Sequence, residues 1–147
     1  MKRKAQAVWK GEGLTGSGEL TTGSGTLKGQ PYSTKMRFED EQGRSGTNPE
    51  ELIAAAHAGC FAMALSFQLG GAGHKPEELA VDSELTMEKE PDGTGWTIQS
   101  IHLDLRGTVP GISNEQFQEL AAKAKAGCPV SRALSVDITL DAKLDGA

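Results

Sequence analysis

The chain's two cysteines, Cys60 and Cys128, have the widest chemical range of any residues in it. A free thiol in an apolar helix is often no more than a small buried hydrophobe, so its surroundings decide what each can do. Cys128 stands before Pro129-Val130-Ser131, which reads as the start of a short helix whose unpaired amides and dipole stabilise a thiolate. On local context Cys128 is the stronger candidate for the reactive thiol. Cys60 lies in mid-helix and needs a cation brought from elsewhere. His57 precedes Cys60 by three positions and shares its helical face. His57, Cys60 and Cys128 can therefore also be read as three zinc ligands, although no Cys-x-x-Cys pair supports that reading. The glycine-rich residues 11–29 carry no lysine-serine ending and are not a phosphate loop, and there is no Gly-x-Ser-x-Gly elbow.

These side chains must be held by elements the sequence announces. Asn48 can cap a helix that has Pro49 at its first position and Glu50 and Glu51 complementing its positive end. That helix carries no charge after Glu51 and runs to Gly70-Gly71-Ala72-Gly73, where left-handed caps are easily adopted. Being apolar or small on nearly every face, it is expected to be buried in the middle of the fold. Before it, residues 4–9 alternate weakly, residues 19–22 suggest a strand among glycine turns, and residues 32–38 alternate well enough to predict a strand with Arg37 on its polar side. After it, residues 79–89 and 96–106 flank Pro91-Asp92-Gly93 as a hairpin. Ser113 caps a helix to about Lys125 that places Phe117, Leu120, Ala121 and Ala124 on one face, and residues 135–144 form the last strand. Strands, helix, hairpin, helix, strand predict an α+β fold with antiparallel sheets around one long central helix, in a single domain of residues 1–147.

The 147 residues carry a net charge of −5, and the basic residues are dispersed, which argues against a nucleic-acid surface. The apolar helix is long enough to span a bilayer, but its alanines, His57, Ser66 and Gln68 favour a buried helix over a membrane one. Nothing at the N-terminus reads as a signal peptide, and two cysteines 68 positions apart do not describe a disulfide scaffold. A cytoplasmic location with reduced thiols is expected. Glu50 lies ten positions before Cys60, about 15 Å along a helix. If the two cooperate, a second helix must run antiparallel alongside, and the site belongs to a dimer.

Three stretches then carry a resemblance: Gly46-Thr47-Asn48-Pro49-Glu50-Glu51-Leu52, Ala55-Ala56-His57-Ala58-Gly59-Cys60-Phe61, and Lys123-Ala124-Lys125-Ala126-Gly127-Cys128-Pro129-Val130-Ser131. With Gln30-Pro31-Tyr32, Arg37-Phe38 and Val109-Pro110-Gly111-Ile112, they resemble the OsmC/Ohr family of thiol-dependent peroxidases over nearly the whole chain. The absence of arginine in Thr15-Gly16-Ser17-Gly18, with Arg37 present, places the likeness nearer the OsmC branch. The resemblance implies an intertwined homodimer in which Cys60 attacks the peroxide, reversing the local preference, and Cys128 resolves it as a disulfide. It implies that Arg37 activates Cys60 and that Glu50 orients Arg37. The expected substrates are organic hydroperoxides, with hydrogen peroxide left open, in a response to oxidative or osmotic stress. No metal or prosthetic group is expected; an external dithiol, a lipoylated protein in the family, closes the cycle. Phe61, Met63 and Phe67 are candidate pocket residues, although core packing is the preferred reading for each. The rival reading is a non-catalytic, stress-associated binding dimer.

Overall fold

The computed structural model describes residues 1–40 and 42–146. The chain forms two compact units, Met1–Leu52 and Ile53–Ala147. In the first, β1 (Ala5–Lys10), β2 (Ser17–Thr22) and β3 (Gln30–Ser33) form an antiparallel sheet in that order. Gly18 sits opposite Trp9 and Tyr32, whose rings meet at 5.4 Å. A Cβ on Gly18 would come within 2.4 Å of the Val8 carbonyl oxygen and 2.7 Å of the Tyr32 ring, so only glycine lets these three strands close. Among the described residues of this unit, no aliphatic or aromatic side chain is buried.

The strand predicted over 32–38 is corrected. After Ser33 the chain turns into α1 (Thr34–Phe38), because the Ser33 hydroxyl accepts a hydrogen bond from the Met36 amide at 3.1 Å and caps the helix. Arg37 is therefore a helical residue, not one on the polar side of a strand. The helix α2 (Pro49–Gly71) begins as expected: the Asn48 side-chain oxygen accepts from the Glu51 amide at 2.8 Å, and the Thr47 hydroxyl donates to the Glu51 carboxylate at 2.7 Å.

The second unit holds the hydrophobic core. The strands β4 (Glu78–Lys89) and β5 (Trp96–Thr108) are the predicted hairpin, with a bulge at Thr86/Met87. The helix α3 (Asn114–Gly127) is capped by the Ser113 hydroxyl and buries the four expected residues. The short α4 (Pro129–Ala133) follows, then β6 (Asp137–Leu144). The expectation of purely antiparallel sheets is corrected here, since β6 pairs parallel to β5, from Ser100 opposite Asp137 to Gly107 opposite Leu144. A parallel neighbour requires a crossover, and α3 and α4 supply it. Alternation shows that a strand is half-buried but not which way it runs. Ile101, Leu103 and Leu105 of β5, Phe61, Leu65 and Leu69 of α2, and Phe117, Ala121 and Ala124 of α3 are solvent-inaccessible and form one cluster with Cys128.

α2 departs from its expected burial on every face. Only His57, Phe61, Leu65 and Leu69, one stripe at four-residue spacing, are buried. Met63 and Phe67 are 63% and 75% exposed, and Ala55, Ala56, Gly59 and Gly70 are exposed beside them.

Candidate active site

The sequence-predicted residues fall into two pairs, one in each unit. In the first unit, α1 and the opening turn of α2 bring Arg37 onto Glu50. The Arg37 Nε donates to the two carboxylate oxygens at 3.2 and 3.1 Å, and Nη2 donates to Oε1 at 2.5 Å. This two-nitrogen grip fixes the guanidinium plane as well as its charge. The guanidinium also lies 4.8 Å from the centroid of the Phe38 ring. Arg37 is about one-third exposed, whereas Glu50 is largely covered.

In the second unit, the crossover that carries α3 and α4 delivers Cys128 to Cys60. Their sulfurs are 3.1 Å apart, both cysteines are free thiols, and the contact is within S–H···S hydrogen-bonding distance. Cys128 is fully buried, while Cys60 is half-buried. A cavity of about 310 Å³ is lined by Cys60 and not by Cys128; Met63, Ala64, Phe67, Ala124, Gly127 and Pro129 give it an apolar wall, and Gln68 also lines it. Met63 and Phe67 thus line the cavity, whereas Phe61 is a core residue.

Access and ionisation favour different thiols. Burial pushes the Cys60 thiol up, and the adjoining Cys128 sulfur adds to that, against a smaller opposing pull from the Val130 amide. Burial also pushes Cys128 up, but the Ser131 amide, the Cys60 thiol, the Ser131 hydroxyl and the Val130 amide outweigh it and bring the net shift down. Within this unit the more readily ionised sulfur is Cys128, as its place before α4 suggests, and the sulfur that a molecule in the cavity meets is Cys60.

His57 does not join the two cysteines as a ligand. Its Nε2 lies 2.8 Å from the Ser131 Oγ, its ring is solvent-inaccessible, and its Nδ1 has no hydrogen-bond partner among the described residues. Burial lowers its pKa, so the ring is held neutral. Among the described residues, no group of three or more His, Cys, Asp or Glu side chains is placed to hold a metal ion. Sequence reasoning missed Ser131. The signal available was its place three residues after Cys128, the spacing at which a helix's third residue faces back toward its cap.

Residues 40–143 match the family described as OsmC-like protein. The chain is 46% identical over 142 residues to Peroxiredoxin OsmC of Escherichia coli (strain K12), an alignment covering 97% of this chain and 96% of that protein. It is 32% identical over 134 residues to organic hydroperoxide resistance protein OhrB of Bacillus subtilis, covering 86% and 90% respectively. The crystal structure of Bacillus subtilis OhrB superposes with a TM-score of 0.70 at 23% identity, over 97% of this chain and 98% of that one, and shows that the fold is shared.

Proposed function

Because the chain belongs to the OsmC-like family, we propose that it is a cysteine-based peroxidase reducing organic hydroperoxides through Cys60, with Cys128 as the resolving thiol. The observation that carries this reading is the arrangement of Cys60. It is the thiol that lines an apolar cavity, and it has a second thiol 3.1 Å behind it. The Cys60 thiolate attacks the terminal oxygen of the peroxide, an S–O bond forms as the O–O bond breaks, and the alkoxide leaves and takes up a proton. Two electrons pass from sulfur to the peroxide, leaving a sulfenic acid. The Cys128 thiolate then displaces hydroxide from Cys60 sulfur to give a disulfide, which an external dithiol of the lipoyl type reduces. Met63 and Phe67 give the cavity an affinity for an organic peroxide that hydrogen peroxide would not exploit.

Burial raises the Cys60 thiol, so the first step needs a cation that stabilises both the thiolate and the departing oxygen. Arg37, oriented by Glu50, is that cation in this reading, supplied by a second copy of the chain. Ten positions of helix separate Glu50 from Cys60 on their own strand of sequence, about 15 Å. A second copy would also cover the exposed face of α2 around Met63 and Phe67, and would give the first unit the buried apolar contacts it lacks.

The test is a substoichiometric addition of cumene hydroperoxide to the reduced protein, followed by mass spectrometry of the thiols. A Cys60–Cys128 disulfide should form in proportion to the peroxide added, and Cys60→Ser should abolish both peroxide consumption and disulfide. Retention of two free thiols by the wild-type protein would refute the peroxidase reading.

A further inference from the structure

Among the described residues, His57 is the one fully buried titratable side chain that the proposed peroxidase cycle does not use. It stands one turn before Cys60 on α2, on the same stripe as Phe61 and Leu65. It reaches across 74 positions of sequence to the Ser131 hydroxyl at 2.8 Å. Its Nδ1 is buried with no hydrogen-bond partner among the described residues. A neutral imidazole carries its proton on one nitrogen, and the two choices are not equivalent here. A proton on Nδ1 would leave a buried N–H unsatisfied, the rarer and costlier defect; a proton on Nε2 leaves only a bare acceptor. The ring is therefore the Nε2–H tautomer, and Nε2–H donates to the Ser131 oxygen. With its oxygen accepting from His57, the Ser131 hydroxyl keeps its own proton free to point elsewhere. Ser131 is the third residue of α4 and Cys128 is that helix's cap, positions whose side chains lie on one side of the first turn, each within reach of the other's backbone amide. The Cys128 sulfur makes no capping hydrogen bond in its own right, but the Ser131 amide and hydroxyl both favour its ionised form.

We infer that His57 is a positioning residue for the resolving step: by donating from Nε2 to Ser131 Oγ, it orients that hydroxyl as a donor to the Cys128 sulfur. The inference rests on the peroxidase reading above. In the step it serves, the Cys128 lone pair forms the S–S bond as the Cys60 S–O bond breaks. Hydroxide leaves and becomes water with a proton from solvent, balancing the one Cys128 gave up on ionising. A donor held on Cys128 keeps it ionised and aimed while Cys60 is being oxidised. His57 thus has no part in the first step, which belongs to the thiol on the cavity.

The two steps can be timed separately in a single turnover with one equivalent of cumene hydroperoxide, following peroxide loss and disulfide appearance. Ser131→Ala and His57→Phe should each slow disulfide formation about tenfold, the worth of one hydrogen bond to an ionised group, and leave peroxide loss within about twofold of wild type. Ser131→Thr, which keeps the hydroxyl, should restore the rate, and the double variant should be no slower than Ser131→Ala. Nitrogen-15 spectra of the reduced wild-type protein should show His57 as the Nε2–H tautomer. Where His57→Phe fails to fold, the Ser131 pair and the tautomer decide. An unchanged disulfide rate in Ser131→Ala, equal slowing of both steps, or an Nδ1–H tautomer overturns the inference while the peroxidase reading stands. A wild-type protein that consumes peroxide yet forms no Cys60–Cys128 disulfide overturns both.

Discussion

At the residue scale, the burial of His57 has a consequence for stability apart from any turnover. In the unfolded chain a histidine takes up its proton near pH 6.5. In the fold the ring resists it, because burial lowers the pKa. Below about pH 6.5 the unfolded state therefore binds the proton that the native state refuses, and the native state loses ground until the lowered pKa is passed. The urea midpoint should fall between pH 7.5 and 5.5, and His57→Phe should flatten that slope; parallel slopes in the two proteins would show that His57 is not its source. Residue identities alone singled out Cys60, Cys128 and Glu50 as candidates, whereas Arg37 was named only through the resemblance carried by the surrounding motifs. They could not give the His57–Ser131 contact, which joins positions 74 apart and whose spacing from Cys60 looked like that of a metal ligand.

At the scale of elements, Cys128, the proposed resolving thiol, is placed by how α3 lies against β5. Gly107 faces Phe117, and a Cβ there would come within 2.6 Å of the Phe117 ring and 3.2 Å of Leu79. Gly107→Ala should destabilise the fold by about 1–3 kcal/mol through overpacking, read from the denaturant midpoint at unchanged slope. A neutral result would mean that Phe117 has room to move. The elements legible in the sequence were those with strong local signals: the Asn48-Pro49 opening of α2, the Pro91-Asp92-Gly93 hairpin and the Ser113 cap of α3. The misread element was residues 32–38, where Tyr32, Thr34, Met36 and Phe38 alternate as a strand would, but the Ser33 cap wins over the pattern. The direction of β6 was beyond reach for another reason: strand polarity is set by the length of the connection and by what packs on it, not by the strand's own residues.

At the scale of the whole molecule, the proposed second copy of the chain would cover two surfaces at once: the bare face of α2, and a first unit whose described residues bury no aliphatic or aromatic side chain. If the site is shared between copies, two broken proteins should mend each other. Arg37→Ala and Cys60→Ser should each be severely impaired alone, the first by roughly a hundredfold or more, as when a donor to a developing oxyanion is removed. Unfolded together and refolded as a mixture, they should recover roughly a quarter of wild-type turnover, because half the pairs are mixed and each mixed pair has one intact site of two. A mixture no better than Arg37→Ala alone would place Arg37 on the same copy as its thiol. The 3.1 Å approach of Cys60 and Cys128 bears also on the chain when it is not folded. Native folding has already brought the ends of a 68-residue separation together, so closing the bond asks the native state only for a local approach of the two sulfurs, while it tethers the denatured one. By loop-closure entropy the oxidised protein should resist unfolding by about 4 kcal/mol more than the reduced one, seen as a higher melting temperature that a dithiol reverses; equal melting temperatures would contradict it. A molecule that has just met peroxide would then be the sturdier of the two, so durability itself would carry a memory of oxidant exposure until the reductant erases it.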